Sequence, residues 1–163
     1  MLIFVMLIGC KHGSTSVDLE IEKAEIQKLL DLEMAVDKNN DKQGVVNFER
    51  KYRMPQSFLL SGDTLLLITQ SMSKSVEEAI IGSKIQWTSV SDIFPPIITL
   101  SPDGRMAYVI LKRHFEWKKD SIEGKMSIAR FRIYNKVDSI WKIGDSMWAY
   151  ETADILASSK TRK

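Results

Sequence analysis

Cysteine occurs once, at Cys10, so the chain cannot close an internal disulfide, and no CxxC or other multi-cysteine spacing exists to hold zinc. Charge of one sign is lacking too. Twenty-three Lys and Arg stand against 21 Asp and Glu, a formal +2, which is too little to argue for nucleic acid. No basic run is interleaved with aromatics, and no internal repeat points to a solenoid or propeller. No apolar run reaches the roughly 20 residues that span a bilayer as a helix. No metal and no cofactor is expected. What is there is 163 residues, 44% hydrophobic and 27% charged, the size and balance of one domain able to bury a core.

The most apolar stretch opens the chain: Met1 to Ile8 are all apolar, and Gly9-Cys10 follows. Its length is that of a signal-peptide core rather than a span. The segment Leu7-Ile8-Gly9-Cys10 resembles the lipobox of bacterial lipoprotein precursors. There the thiol after the cleavage site receives a diacylglycerol, and small residues before it fit the peptidase. No Lys or Arg precedes the apolar run, a departure from the usual signal. The competing reading is a buried N-terminal strand with an incidental cysteine. The resemblance implies a signal peptide over 1–9, lipidation of Cys10, and a tether over 10–17. It places the mature domain in the bacterial cell envelope, lipid-anchored and facing the periplasm. Lys11 to Ser16 is polar, as a flexible tether would be, and His12 within it reads as a solvated linker histidine.

Downstream, Asp18 to Asn39 has the pattern of a long helix, with Leu19, Ile26, Leu29, Leu30, Met34 and Val36 at three- and four-residue spacing. Asp18, Glu20 and Glu22 crowd its first turn, where the helix dipole favours acids. Asn39-Asn40-Asp41 stops it and caps a second helix around Val45 to Tyr52, closed by Pro55. Short strands are expected at 57–60 and 65–69 around Ser61-Gly62-Asp63. A capping-box pattern, Ser75-Val76-Glu77-Glu78, predicts a third helix ending at Gly82. Strands then dominate: 85–94, 97–100 beyond Pro95-Pro96, 105–117, 125–136 and 140–151. The domain is expected to run over 18–157, with a disordered tail at 158–163. The fold class is α+β, with N-terminal helices packed on a curved antiparallel sheet.

Register decides what the last hairpin aims inward, because a slip of one residue exchanges the two faces. A two-residue turn, Asp138-Ser139, places Tyr134 opposite Ile143 and Arg132 opposite Asp145, and mixes arginines with large apolars on each face. A three-residue turn, Val137 to Ser139, gathers Ala129, Phe131, Ile133, Trp141, Ile143, Asp145 and Met147 on one face. Ile128, Arg130, Arg132, Tyr134, Lys142, Gly144, Ser146 and Trp148 take the other. The second arrangement separates apolar from polar better and is the one adopted here; such turns are common in hairpins. Continued across the neighbouring strand, the inner face adds Ala107, Val109, Leu111, Arg113, Phe115 and Trp117.

Asp145 and Arg113 then lie on an apolar face, where burying either alone would cost several kcal/mol. One reading is a ligand pocket with these as its polar groups, lined by Trp117, Phe131, Trp141 and Met147. The others are a structural ion pair, or an Asp145 that accepts backbone hydrogen bonds at a bulge. The outer face would carry Met106, Tyr108, Ile110, Ile128, Tyr134 and Trp148, enough apolar surface to predict a homodimer through it. His114 alternates outward beside Lys112 and Glu116 and reads as solvated.

The order of elements, together with two segments, resembles the nuclear-transport-factor-2-like superfamily, which includes SnoaL-like domains and ketosteroid isomerase. The segments are Asp103-Gly104-Arg105-Met106-Ala107-Tyr108-Val109 and Lys136-Val137-Asp138-Ser139-Ile140-Trp141-Lys142-Ile143. They are similar to the family's DG-x-x-A-Y-V and K-x-D-G-x-W-K-I strand signatures, and the likeness covers Ile26 to Tyr150. It implies a cystatin-like cone with an internal cavity. Many SnoaL-like relatives carry histidine near the end of the last strand, where this chain has Asp145 and Met147. A histidine-based site therefore does not carry over. The expected function is a membrane-tethered domain that binds a modest apolar ligand or a partner. The alternative is a small isomerase, dehydratase or hydrolase with Asp145 as general base.

Overall fold

The computed structural model describes residues 17–151 and 154–156, so the expected signal, Cys10 with most of its tether, and the C-terminal tail lie outside the described residues. Helix α1 runs Leu19–Lys38, with Asp18 as its N-cap accepting from the Glu20 and Ile21 amides. Helix α2 is Lys42–Tyr52, capped by Asp41, whose side chain accepts from Gly44. Helix α3, Gln70–Gly82, begins five residues before the expected capping box, with Thr69 at its N-cap position. Its Ser75-Val76-Glu77-Glu78 motif therefore lies inside the helix, and Glu77 pairs with Arg50 of α2 instead of capping.

Eight strands follow one another among the described residues: β1 Ser57–Ser61, β2 Thr64–Ile68, β3 Gln86–Asp92, β4 Ile97–Leu100, β5 Met106–Lys119, β6 Ile122–Val137, β7 Ile140–Tyr150 and β8 Asp154–Leu156. They form one curved sheet in the order β2-β1-β7-β6-β5-β3, with β4 also on β5 and β8 on β6. All pairings are antiparallel except β1 with β7, which is parallel, so the sheet is mixed. The Pro95-Pro96 break lets β3 and β4 share successive stretches of one edge of β5. No helix among the described residues is long and apolar enough to cross a membrane.

The helices cover the concave face. Ile26 and Leu30 of α1 and Phe48 of α2 pack with Ala107, Val109, Leu111, Tyr134, Trp141 and Ile143 as the main core. A smaller cluster of Val90, Phe115 and Ile128 lies toward the far end of the strands. Apart from β8, the helices and strands are those the residue pattern predicts, with shifted ends. The register of the last hairpin is not.

Asp138 and Ser139 both have positive φ, 49° and 64°, which closes β6 and β7 with the two-residue turn rejected above. Val137 pairs with Ile140 and Tyr134 with Ile143. Beyond that point a bulge shifts the pairing, so that Arg132 faces Ser146 and not Asp145. The extra residue lies at Gly144-Asp145. A Cβ on Gly144 would stand 2.9 Å from Asn135 Nδ2 and 3.3 Å from the Ile133 carbonyl oxygen, so a larger residue there would have to displace the Asn135 side chain. Consequently Arg130, Arg132 and Tyr134 point inward with Arg113, while Phe131 and Met147 point outward, 37% and 49% exposed. The separation of polar from apolar that favoured the three-residue turn was a misleading criterion, because this sheet buries its arginines against acids from the helices.

Candidate functional site

Two carboxylates stand one turn apart on α1, Glu33 and Asp37, on the stripe that Ile26 and Leu30 begin. Opposite them, adjacent strands supply three guanidinium groups, Arg113 from β5 and Arg130 and Arg132 from β6. Arg132 holds Glu33 in a two-pronged bond, Nη1 to Oε2 at 2.9 Å and Nη2 to Oε1 at 2.7 Å. Arg130 Nη1 donates to the same carboxylate at 3.0 Å. Arg113 Nη1 lies 3.6 Å from Glu33 and donates to Asp37 Oδ2 at 3.3 Å, while its Nε donates to Asp92 of β3 at 2.9 Å. Arg113 is wholly buried, and Arg132 retains 1% exposure.

The two acids titrate in opposite senses. Burial alone would raise Glu33, but the charges of Arg132, Arg130 and Arg113 overcome it and hold the carboxyl well below the usual range. Burial, with Glu33 adding to it, raises Asp37 to about 6 against the pull of the same arginines. Glu33 is therefore the fixed counter-ion of the cluster, and Asp37 changes charge near neutral pH. Burial pushes Arg130 down from a value so high that it stays cationic, its guanidinium 4.9 Å from the Trp148 ring.

A cavity of about 210 Å³ opens beside this cluster, between α1, α2, α3 and strands β1, β2, β6 and β7. Its buried end is Glu33, Asp37, Arg130, Arg132 and Trp148; its walls are largely Val, Leu, Ile and Phe, among them Val45, Val46, Leu59 and Ile68. At the exposed end Arg50 meets Glu77 with Nε to Oε1 at 2.6 Å, and Arg53 pairs with Glu49. Asp37 also lines a second hollow of about 180 Å³ with Asn40, Lys42, Ser83 and Trp87. Among the described residues no three His, Cys, Asp or Glu groups gather as metal ligands.

The structure does not bring the sequence-predicted site residues together. Arg113 lies in the ionic cluster as an inward residue, paired with Asp92 and Asp37 and not with Asp145. Asp145 is exposed at the bulge, where its Oδ1 accepts from the Phe58 amide at 2.8 Å. That is the backbone-bonded alternative weighed for it. Trp141 is core, its Nε1 donating to Glu22 at 3.0 Å. Trp117 is half-buried beside Trp87, and Phe131 and Met147 are cross-strand partners on the convex side. His114 lies outward as expected, 3.2 Å from Ser127 Oγ and 3.8 Å from Glu116. The residues missed are Glu33, Asp37, Arg130, Arg132 and Trp148. A signal existed for the acids, since positions 26, 30, 33 and 37 continue one helical stripe.

On the convex face, Met106, Tyr108 and Ile110 point outward as expected, but Ile128, Tyr134 and Trp148 do not. Their places are taken by Phe58, Leu65, Leu67, Ile97, Phe131 and Met147, all exposed. Tyr108 and Phe131 stack there with ring centroids 5.9 Å apart.

No family model matches the chain, and no curated protein matches it in sequence. Solved structures do match in shape. A nuclear-transport-factor-2-like superfamily protein from Salmonella enterica has a TM-score of 0.63 at 12% identity, over 88% of this chain and 99% of its own. A nuclear-transport-factor-2-like protein from Cytophaga hutchinsonii has 0.62 at 12%, over 79% and 98%. Hexachlorocyclohexane dehydrochlorinase LinA-type3 from Novosphingobium barchaimii has 0.62 at 10%, over 85% and 92%. At such identities the likeness is one of fold.

Proposed function

We propose that this chain, which has the nuclear-transport-factor-2-like cone fold, is a small-ligand-binding domain whose cavity takes a modest, mainly apolar molecule. One observation carries the reading: an apolar-walled hollow ends on buried charges that already neutralise one another, leaving the walls as the main source of affinity. Its volume, about 210 Å³, lies below the range of drug-sized ligands. Calorimetry with short aliphatic and aromatic compounds tests it. Binding is expected in the wild type and lost in Val45→Trp, which fills the hollow. Equal binding by the filled variant would place the ligand elsewhere.

The domain works at the cell envelope, facing the periplasm, held by a lipid on Cys10. The motif Leu7-Ile8-Gly9-Cys10 supports this, and Cys10→Ala should move the protein from the membrane to the soluble fraction; unchanged fractionation would refute lipidation. The domain also pairs with a second copy through the convex face, supported by the apolar side chains exposed across it.

A second reading has its own observation. Asp37 lines the cavity with a pKa raised to about 6, suited to a general base at neutral pH. A dehydrochlorinase shares the fold, and in this chain the base would be Asp37, since Asp145 lies outside the cavity. Turnover with a pH-rate limb near 6 that Asp37→Asn abolishes would favour an isomerase, dehydratase or lyase. Binding without turnover favours the ligand-binding domain.

A further inference from the structure

The buried end of the cavity has more hydrogen-bond donors than acceptors. Arg130, Arg132 and Trp148 all line it, and Arg130 Nε, Arg132 Nε and Trp148 Nε1 are buried with no acceptor. Arg113 Nη2, in the same cluster, has none either. Each such N–H is left without the bond that water gave it, a cost that an incoming acceptor would remove. Among the described residues the unpartnered buried side-chain oxygens are the hydroxyls of Ser57 and Ser146, which can donate as well as accept. The three cations are balanced only when Glu33, Asp92 and Asp37 are all ionised. If Asp37 takes up a proton, the cluster gains one positive charge beside the apolar hollow.

We infer that the cavity takes a small aliphatic carboxylic acid, its chain against the apolar walls and its carboxylate beside Arg130, Arg132 and Trp148, with Asp37 protonated in the complex. The inference rests on the ligand-binding reading above and names the class of ligand. The residues that carry these unpartnered N–H groups, Arg130, Arg132 and Trp148, line the cavity, so an acid seated at its buried end meets them first. The ligand's charge replaces that of Asp37, which keeps the cluster neutral and avoids a fourth ionised carboxylate against three arginines. The groups facing Asp37 are Glu33 on its own helix, Arg113 of β5 and Arg130 and Arg132 of β6. Asp92 of β3 reaches it through Arg113, Lys42 of α2 shares its second hollow, and the pairs Glu49–Arg53 and Glu77–Arg50 share the first. Asp37, raised toward neutrality already, is the one among these poised to take the proton.

Calorimetric titration of the wild type and of Asp37→Asn with octanoate and with 1-octanol, at pH 5.5 and 7.5, tests this. Octanoate stays mainly ionised at both. Octanoate should bind the wild type at least about tenfold more tightly than octanol, and about 20-fold more tightly at the lower pH, since a group with a pKa of about 6 is roughly three-quarters protonated at pH 5.5 and about 3% protonated at pH 7.5. Asp37→Asn should bind octanoate with no such pH dependence. Equal affinity for the acid and the alcohol would overturn recognition of the carboxylate and leave the apolar cavity reading intact. Binding of neither would overturn both. A wild-type affinity for octanoate that ignores pH would overturn the exchange of charge with Asp37.

Discussion

The two faces of the sheet contrast sharply. Its concave face, covered by helices, holds three arginines and the acids that answer them; its convex face carries Phe58, Met106, Tyr108, Ile110, Phe131 and Met147 exposed. On the inside, guanidinium groups are tolerable because α1 delivers Glu33 and Asp37 and β3 delivers Asp92 at bonding distance. An isolated buried ion would cost several kcal/mol, whereas a satisfied network holds a unique geometry. On the outside, apolar side chains gain nothing from water, and their concentration calls for a cover. The lesson is that the face with the charges can be the buried one when another element supplies the counter-charges.

This contrast can be broken first at Glu33. Glu33→Ala leaves Arg113, Arg130 and Arg132 short of their shared counter-ion and should cost about 3–5 kcal/mol in urea denaturation. A loss under about 1 kcal/mol would mean that the cluster does little for the fold.

Next comes Asp37, through pH. Its folded pKa is raised to about 6, above the ordinary value near 4 of an unfolded chain, so the folded state holds the proton more tightly. That contribution is fully present below about pH 4 and is lost as pH rises through about 6. Relative to Asp37→Asn, the wild type should therefore lose on the order of 2 kcal/mol between those limits. Parallel stability curves for the two proteins would show that Asp37 titrates normally. Glu33 has the opposite sign: its depressed pKa gives stability present above the unfolded value and lost only in strong acid.

Smaller effects are expected outside the concave interior. Asp145→Ala removes the acceptor of the Phe58 amide and should cost about 1–2 kcal/mol, with no change in ligand affinity. Phe131→Asp on the convex face loses the stack with Tyr108 and should cost the protomer about 1–2 kcal/mol while leaving it folded. It should nonetheless halve the native mass in sedimentation if the face joins two copies. A native mass that is monomeric in the wild type would remove the dimer.

Much of the fold was legible in the residues because its signals are local. The stripe Ile26, Leu30 and the caps Asp18 and Asp41 mark two helices, and the alternation Ala107, Val109, Leu111 marks β5. The inward placement of Arg113 followed from that alternation. The site was harder to read, because alternation names two faces without saying which one the helices cover. Segregating apolar from polar gave Phe131 and Met147 the inside, when the counter-charges that bury Arg130 and Arg132 lie about a hundred residues earlier on α1. The bulge was equally hidden. Only Gly144, a glycine inside an otherwise regular strand, hinted at it.

That extra residue acts as a change of reading frame within β7. Before it, the odd positions Trp141 and Ile143 meet the helices; after it, the even positions Ser146 and Trp148 do. Deleting a single residue at 144 or 145 would make the ladder with β6 regular and leave Met147 outward and Trp148 inward; keeping both while losing the bulge would turn the two over. One extra residue thus sets which side chains beyond it meet the helices and which lie on the convex face.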